Sequence, residues 1–177
     1  FLLIYFYIMT KTILDVQDEF INQWGIIGTS WGINRTMAQI HGLLLVSQEP
    51  LTTDQVMESL TISRGNAHTN IKNLLGWGLV KKVIKKGVRK ELFQAEKDPW
   101  KMFCTIAKER KRREMEPLLT VLEDCTHELK AIKSKEAKVL HGQLKEMTQF
   151  VGTGVSVMDK ISKAEQNVLM KLIMKLL

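Results

Sequence analysis

Covalent cross-links are the first thing this chain cannot rely on. Its 177 residues contain two cysteines, Cys104 and Cys125, too few for a disulfide framework and without metal-ligand spacing. A reduced, cytoplasmic compartment fits that scarcity. Each thiol is read as a small buried apolar residue in preference to a redox sensor. The four histidines, His41, His68, His127 and His141, are scattered, so no metal site and no cofactor are read. No P-loop, GxSxG, HExxH or paired-carboxylate pattern occurs, and nothing supports an enzyme. Three prolines and 7% aromatic residues favour a mainly helical protein. Long hydrophobic runs are also missing. The opening FLLIYFYIM is nine apolar residues, less than half of the roughly 20 that span a bilayer. It has neither a basic n-region nor a small-residue cleavage site, so it is not read as a signal peptide and no membrane segment is expected. Met9 is taken as the biological start. The alternative is that residues 1–8 lengthen the first helix and pack on a partner.

What the chain does have is positive charge in one place. Residues 61–98 hold nine Lys/Arg against three acids, which is +6 of a net +7. The other 139 residues are close to neutral. A basic patch on a neutral body suits a polyanionic partner, because counterions released from phosphates drive such binding. A merely solubilising surface is the bland alternative.

Hydrophobic spacing organises the rest. Ile13, Val16, Phe20, Ile21 and Trp24 predict a helix from Lys11 to about Ile27, with Gly25, Gly28 and Gly32 loosening its end. Asn34 is a plausible N-cap for a second helix that runs to about Ser47 and stops at Glu49-Pro50. Thr52 and Gln55 fit a capping box, opening a short helix that buries Val56, Met57 and Leu60. Thr61-Ile62 is a tight connection, and Ser63 caps the next helix. Two capped helices around a three-residue turn form a helix-turn-helix pattern.

The stretch ISRGNAHTNIKNLLGWGLVKKV (62–83) is the most informative. Ala67, Ile71, Leu74 and Leu75 share one helix face. The other carries Gly65, Thr69 and Lys72, flanked by Asn66, His68 and Asn73, with Arg64 in the first turn. Arg, Asn and Lys are side chains that hydrogen-bond base edges and phosphates in a major groove. Gly65 costs about 1 kcal/mol against Ala inside a helix, which makes sense where something bulky must come close. Gly78 is a natural αL C-cap.

From Leu79 the pattern becomes two short strands around a Gly-containing turn. The tip carries Lys85, Lys86, Arg89 and Lys90, a "wing" able to lay an arginine in a minor groove. Asp98-Pro99 supplies the N-cap and N1 of a further helix. In its KERKRR run, Glu109 with Arg113 and Arg112 with Glu116 stand four apart, which predicts a self-paired solvated face. Leu118, Leu122, Cys125, Leu129 and Ile132, then Leu140, Leu144, Met147 and Val151, form a narrow apolar stripe. Leu169, Leu172 and Leu176 suggest a final helix. The stripe suits helix association between subunits, with an intramolecular helical hairpin as the alternative.

The span GINRTMAQIHGLLLVSQEPLTTDQVMESLTISRGNAHTNIKNLLGWGLVKKV, with ISRGNA, WGLV and the helix start DPWKMF, resembles the GbsR-like branch (glycine betaine synthesis repressor type) of the MarR superfamily. The resemblance lies mostly in residues 32–103. It implies a mainly α fold with a small β-hairpin wing: a winged helix-turn-helix domain with N- and C-terminal dimerisation helices. The expected division is an N-terminal helical arm at 1–31, the DNA-binding domain at 32–98 and a dimerisation region at 99–177. It implies a homodimeric transcription regulator, a repressor on double-stranded DNA, whose recognition residues are Ser63, Arg64, Gly65, Asn66, His68, Thr69, Lys72 and Asn73. The wing residues are Lys85, Lys86, Arg89 and Lys90, with Arg89 as the wing arginine. Family wings often place an acid just before that arginine; here the residue is Val88. Some members respond to choline or related osmolytes, so a small-molecule effector is left open and unassigned. Trp24, Trp31 and Trp100 could face a quaternary ammonium, but core or interface use is the preferred reading. The competing function is a winged-helix module that binds an acidic protein.

Overall fold

A computed structural model describes residues 11–163. The chain divides between Lys97 and Asp98 into two compact units. The element order agrees with a winged-helix protein: mostly helical, with one small antiparallel sheet. Residues 1–8 and the expected helix around Leu169 to Leu176 lie outside the described residues.

In the first unit, α1 spans Ile13–Ser30, opened by a capping box in which Thr12 and Asp15 satisfy each other's backbone N–H groups. Contrary to the sequence reading, Gly25 and Gly28 do not loosen this helix. Both are buried inside it and let it lie close to α2, which spans Arg35–Val46. A Cβ on Gly28 would stand 2.5 Å from Ala38 Cβ, and one on Gly25 would stand 2.6 Å from Gln39 Cγ. Only Gly32, at φ +75°, ends the helical run. Trp24 stacks on Phe20, lies over Gly42 and donates through Nε1 to His41 Nδ1 at 3.2 Å. Its role is packing between α1 and α2. Ile13 and Val16, two of the residues whose spacing predicts this helix, are more than half exposed.

Asn34 caps α2 and Thr52 caps α3, Thr53–Leu60, with the expected capping box to Gln55. Thr61 turns the chain through a left-handed conformation, φ 52°. Helix α4 follows at Arg64–Trp77, between its Ser63 N-cap and Gly78 in αL geometry. Strands β2 (Val80–Val83) and β3 (Leu92–Ala95) form the hairpin, in a register that pairs Val80 with Ala95 and Val83 with Leu92. The sequence reading missed a third strand. Leu51–Thr52, β1, pairs with β3 on its other side, giving the order β1-β3-β2. Two residues are too short to show a period-2 signal. The core gathers Ile40, Leu44, Val56, Ala67, Ile71 and Leu74 from the helices with Leu79, Val80, Leu92 and Phe93 from the hairpin.

The second unit begins at Asp98, whose carboxylate accepts from the backbone of Trp100 and Lys101. Helix α5, Pro99–Arg110, passes through a π-helical turn, Lys111–Met115, into α6, Glu116–Leu129. Pro117 explains the wide turn. Its ring would press on the carbonyl four residues back, and it has no N–H to give. The turn also corrects an expected ion pair. Residues four apart no longer align across it, so Arg112 turns back to Glu109 (2.7 Å) beside Arg113 (2.9 Å), and Glu116 takes Lys111 instead. Helix α7, Lys135–Lys163, packs against α6. Leu122 and Val151 from the apolar stripe are buried, while Leu118, Ile132, Leu140 and Met147 stay exposed. Cys104 is buried and Cys125 half-buried.

Candidate nucleic-acid interface

Helix α4 is held by one face and open on the other. Ala67, Asn70, Ile71 and Leu74 are buried, so the helix cannot rotate without exposing three apolar side chains. That constraint sets which residues remain outside. Ser63, Arg64, Gly65, Asn66, His68, Thr69, Lys72 and Asn73 are all exposed. A Cβ at Gly65 would meet nothing within 4 Å. No contact inside the chain therefore requires glycine there, and the surface beside it is open. Ser63 Oγ accepts from Asn66 N at 3.4 Å and Ser63 O from Ala67 N at 2.9 Å, and the helix dipole favours an anion at this end.

The wing is the eight-residue connection 84–91 between β2 and β3, turned at Gly87 with φ +85°. The four wing cations behave differently. Lys85 Nζ lies 3.4 Å from Glu49 and Lys90 Nζ lies 2.7 Å from Asp54. Among the described residues Lys86 and Arg89 have no ion-pair or hydrogen-bond partner, and both are exposed. Lys82 on β2 pairs with Glu91 at the end of the connection. Ile84 is 98% exposed beside these lysines.

Asp54 joins the two halves of the surface. Its Oδ1 accepts from Arg64 Nη2 at 2.8 Å and its Oδ2 from Lys90 Nζ at 2.7 Å. The hydrogen bond and charge of Lys90, and then Arg64, hold its carboxyl below the usual carboxylate range. Asp54, in the first turn of α3, thus holds Lys90 of the wing, and among the described residues no acid pairs with Arg89. Sequence gave no sign of this, since the partners are 10 and 36 residues away.

Asn70 was also missed, having been passed over between the two nominated faces. It is 6% exposed, and its Nδ2 donates to Asn66 O at 2.9 Å and to Asn66 Oδ1 at 2.7 Å. The i, i+4 spacing of two amides on a helix was the available signal.

Among the described residues no group of three His, Cys, Asp or Glu side chains could hold a metal. No helix among them is long and apolar enough to cross a membrane. Trp24 is committed to α1 and α2, Trp31 is 54% exposed, and Trp100 stacks on Phe103 in the second unit.

No family model matches the chain. It is similar to three curated proteins of Bacillus subtilis (strain 168). One is the HTH-type transcriptional repressor GbsR, 31% identical over 106 residues, 60% of this chain and 58% of that protein. Another is the putative HTH-type transcriptional regulator YvaV, 26% identical over 96 residues and 54% of each chain. The third is the HTH-type transcriptional repressor OpcR, 24% identical over 102 residues and 55% of each. The chain thus spans a little over half the length of the curated relatives it matches. In fold it is similar to a solved structure described as a transcriptional regulator. The TM-score is 0.67 at 23% identity, over 85% of this chain and 99% of that one.

Proposed function

We propose that this chain is a DNA-binding transcription regulator of the winged helix-turn-helix kind, in the GbsR-like branch of the MarR superfamily, acting as a homodimeric repressor on a pseudo-palindromic operator. One observation carries the reading. Seven polar residues of α4 and its cap are exposed together with Gly65, beside a wing whose Lys86 and Arg89 have no acidic partner among the described residues. The relatives' names point the same way for those proteins. In this reading Lys72 and the wing cations bind phosphates and fix the register. Arg64, Asn66, His68 and Thr69 reach base edges. A dimer would present two such helices about one DNA turn apart. Exposed apolar side chains on α6 and α7, such as Val121, Val139 and Phe150, support a dimerisation role for the region from residue 99 onward, and Ile13 and Val16 on α1 support one for the N-terminal arm. Any effector is unassigned.

The test is selection of bound duplexes from a random pool, followed by a salt series on the enriched site. Lys86→Ala/Arg89→Ala should flatten the slope of log K against log salt by about 1.8, at about 0.9 per lost phosphate contact. Unchanged affinity and slope would remove the wing from the DNA. Absence of any enrichment, with capture of an acidic protein instead, would replace the proposed function altogether.

A further inference from the structure

We propose that Asn70 is a positioning residue that turns Asn66 so that its amide donors face the groove. The start of α4 would then read a hydrogen-bond acceptor on a base edge, guanine N7/O6 or thymine O4, and not make the two-bond contact to adenine. The inference rests on the DNA-binding reading above and concerns what that surface selects.

The orientation of the two amides follows from their bonds. A side-chain amide's oxygen and nitrogen look alike in shape, so a network must assign them. Here one member of the network cannot be reversed. The Asn70 amide atom 2.9 Å from the main-chain oxygen of Asn66 must be its nitrogen, because a carbonyl oxygen only accepts. That nitrogen is also 2.7 Å from the Asn66 side chain, so the Asn66 atom there must be its oxygen. Asn66 Oδ1 is therefore turned along the helix towards a residue that is 6% exposed. Its Nδ2, bonded to the same carbon, is the atom left outward, and among the described residues neither of its N–H groups has a partner.

The consequence is selectivity. The common bidentate contact of asparagine with adenine needs Oδ1 to accept from N6 while Nδ2 donates to N7. With Oδ1 turned back to Asn70, only donation is available outward. Adenine and cytosine both present a donor in the major groove, whereas guanine and thymine offer an acceptor without an adjacent donor from the same base. Arg64, two residues earlier in the same turn, is donor-only as well. Two neighbouring side chains that offer only donors outward suit acceptor-rich edges.

The experiment uses the full chain and its selected duplex. One half-site position should hold guanine or thymine. Removing the acceptor that is read, N7 with 7-deazaguanine or O6 with 2-aminopurine for guanine, or O4 with 5-methyl-2-pyrimidinone for thymine, should weaken wild-type binding roughly tenfold. The same replacement should leave Asn66→Ala unaffected. Because Asn66 is exposed, that variant folds without repacking the core. Asn70→Ala should lose preference at that one position while keeping the salt slope, which a merely destabilised helix would not do. Two results overturn the inference: adenine at the position with binding lost when its N6 amino group is removed, or Asn66→Ala retaining the preference of every position. Failure to select any duplex removes the DNA-binding reading itself and this inference with it, and is distinct from both.

Discussion

Replacing Gly28 by alanine sets two effects of opposite sign against each other, and the geometry decides between them. Within a helix, Gly→Ala gains about 1 kcal/mol from backbone entropy. At position 28, however, the new Cβ would lie 2.5 Å from Ala38 Cβ, where carbon atoms prefer about 3.5–4.0 Å. Ala38 has no rotamer to change, so relief must come from moving α1 away from α2. Overpacking of this kind costs about 1–3 kcal/mol, and the rigid neighbour places it in the upper part. A net loss of about 1–2 kcal/mol is expected, read as a lower urea midpoint at unchanged m-value. Gly65→Ala is the control, because nothing lies within 4 Å of its Cβ; there the same change should stabilise by about 1 kcal/mol. Adding Ala38→Gly to Gly28→Ala returns the missing space, so the pair should be coupled by about 1–2 kcal/mol in a double-mutant cycle. If Gly28→Ala unfolds at or above the wild-type midpoint, or Ala38→Gly recovers nothing, the close approach of the two helices is wrong.

Two further outcomes test other parts of the first unit. Burial lowers the His41 pKa to about 4, so the folded state resists a proton that the unfolded chain takes up near 6.5. The associated stability is fully present above pH 6.5 and is lost as pH falls from there to about 4, a change on the order of 3 kcal/mol. His41→Gln should remove that part of the pH dependence in urea melts, and an unchanged dependence would show that His41 is not its source. Thr52→Ala removes the cap whose Oγ1 accepts from Gln55 N and should cost about 1 kcal/mol of stability. A thermal melt with no shift would mean the capping box contributes nothing to α3.

Much of the site was legible because it depends on neighbours in sequence. Thr52, Ser63, Gly78 and Asp98 cap helices within a few residues of themselves. The exposed set from Ser63 to Asn73 followed from the helical period, since burying Ala67, Ile71 and Leu74 leaves those positions outside. The charge concentration needed only counting. Longer-range pairings were not legible. Asp54 meets Arg64 and Lys90 only because the turn at Thr61 and the return of the hairpin bring three separate first turns and loops together. The role of Gly28 depends on which residue of α2 stands opposite, and its sequence signature is the same as that of a helix end. Arg112 lost its expected partner because Pro117 widened the turn between them. Local sequence therefore determined the helices, their caps, the winged-helix order and the polar face of α4, because hydrogen bonds and hydrophobic period act over a single turn. Tertiary structure alone decided the Asp54 link, the close packing at Gly28 and the burial of Asn70, because each depends on packing across elements that no local pattern encodes, whereas the Asn70–Asn66 spacing that turns Asn66 outward lies within one helical turn.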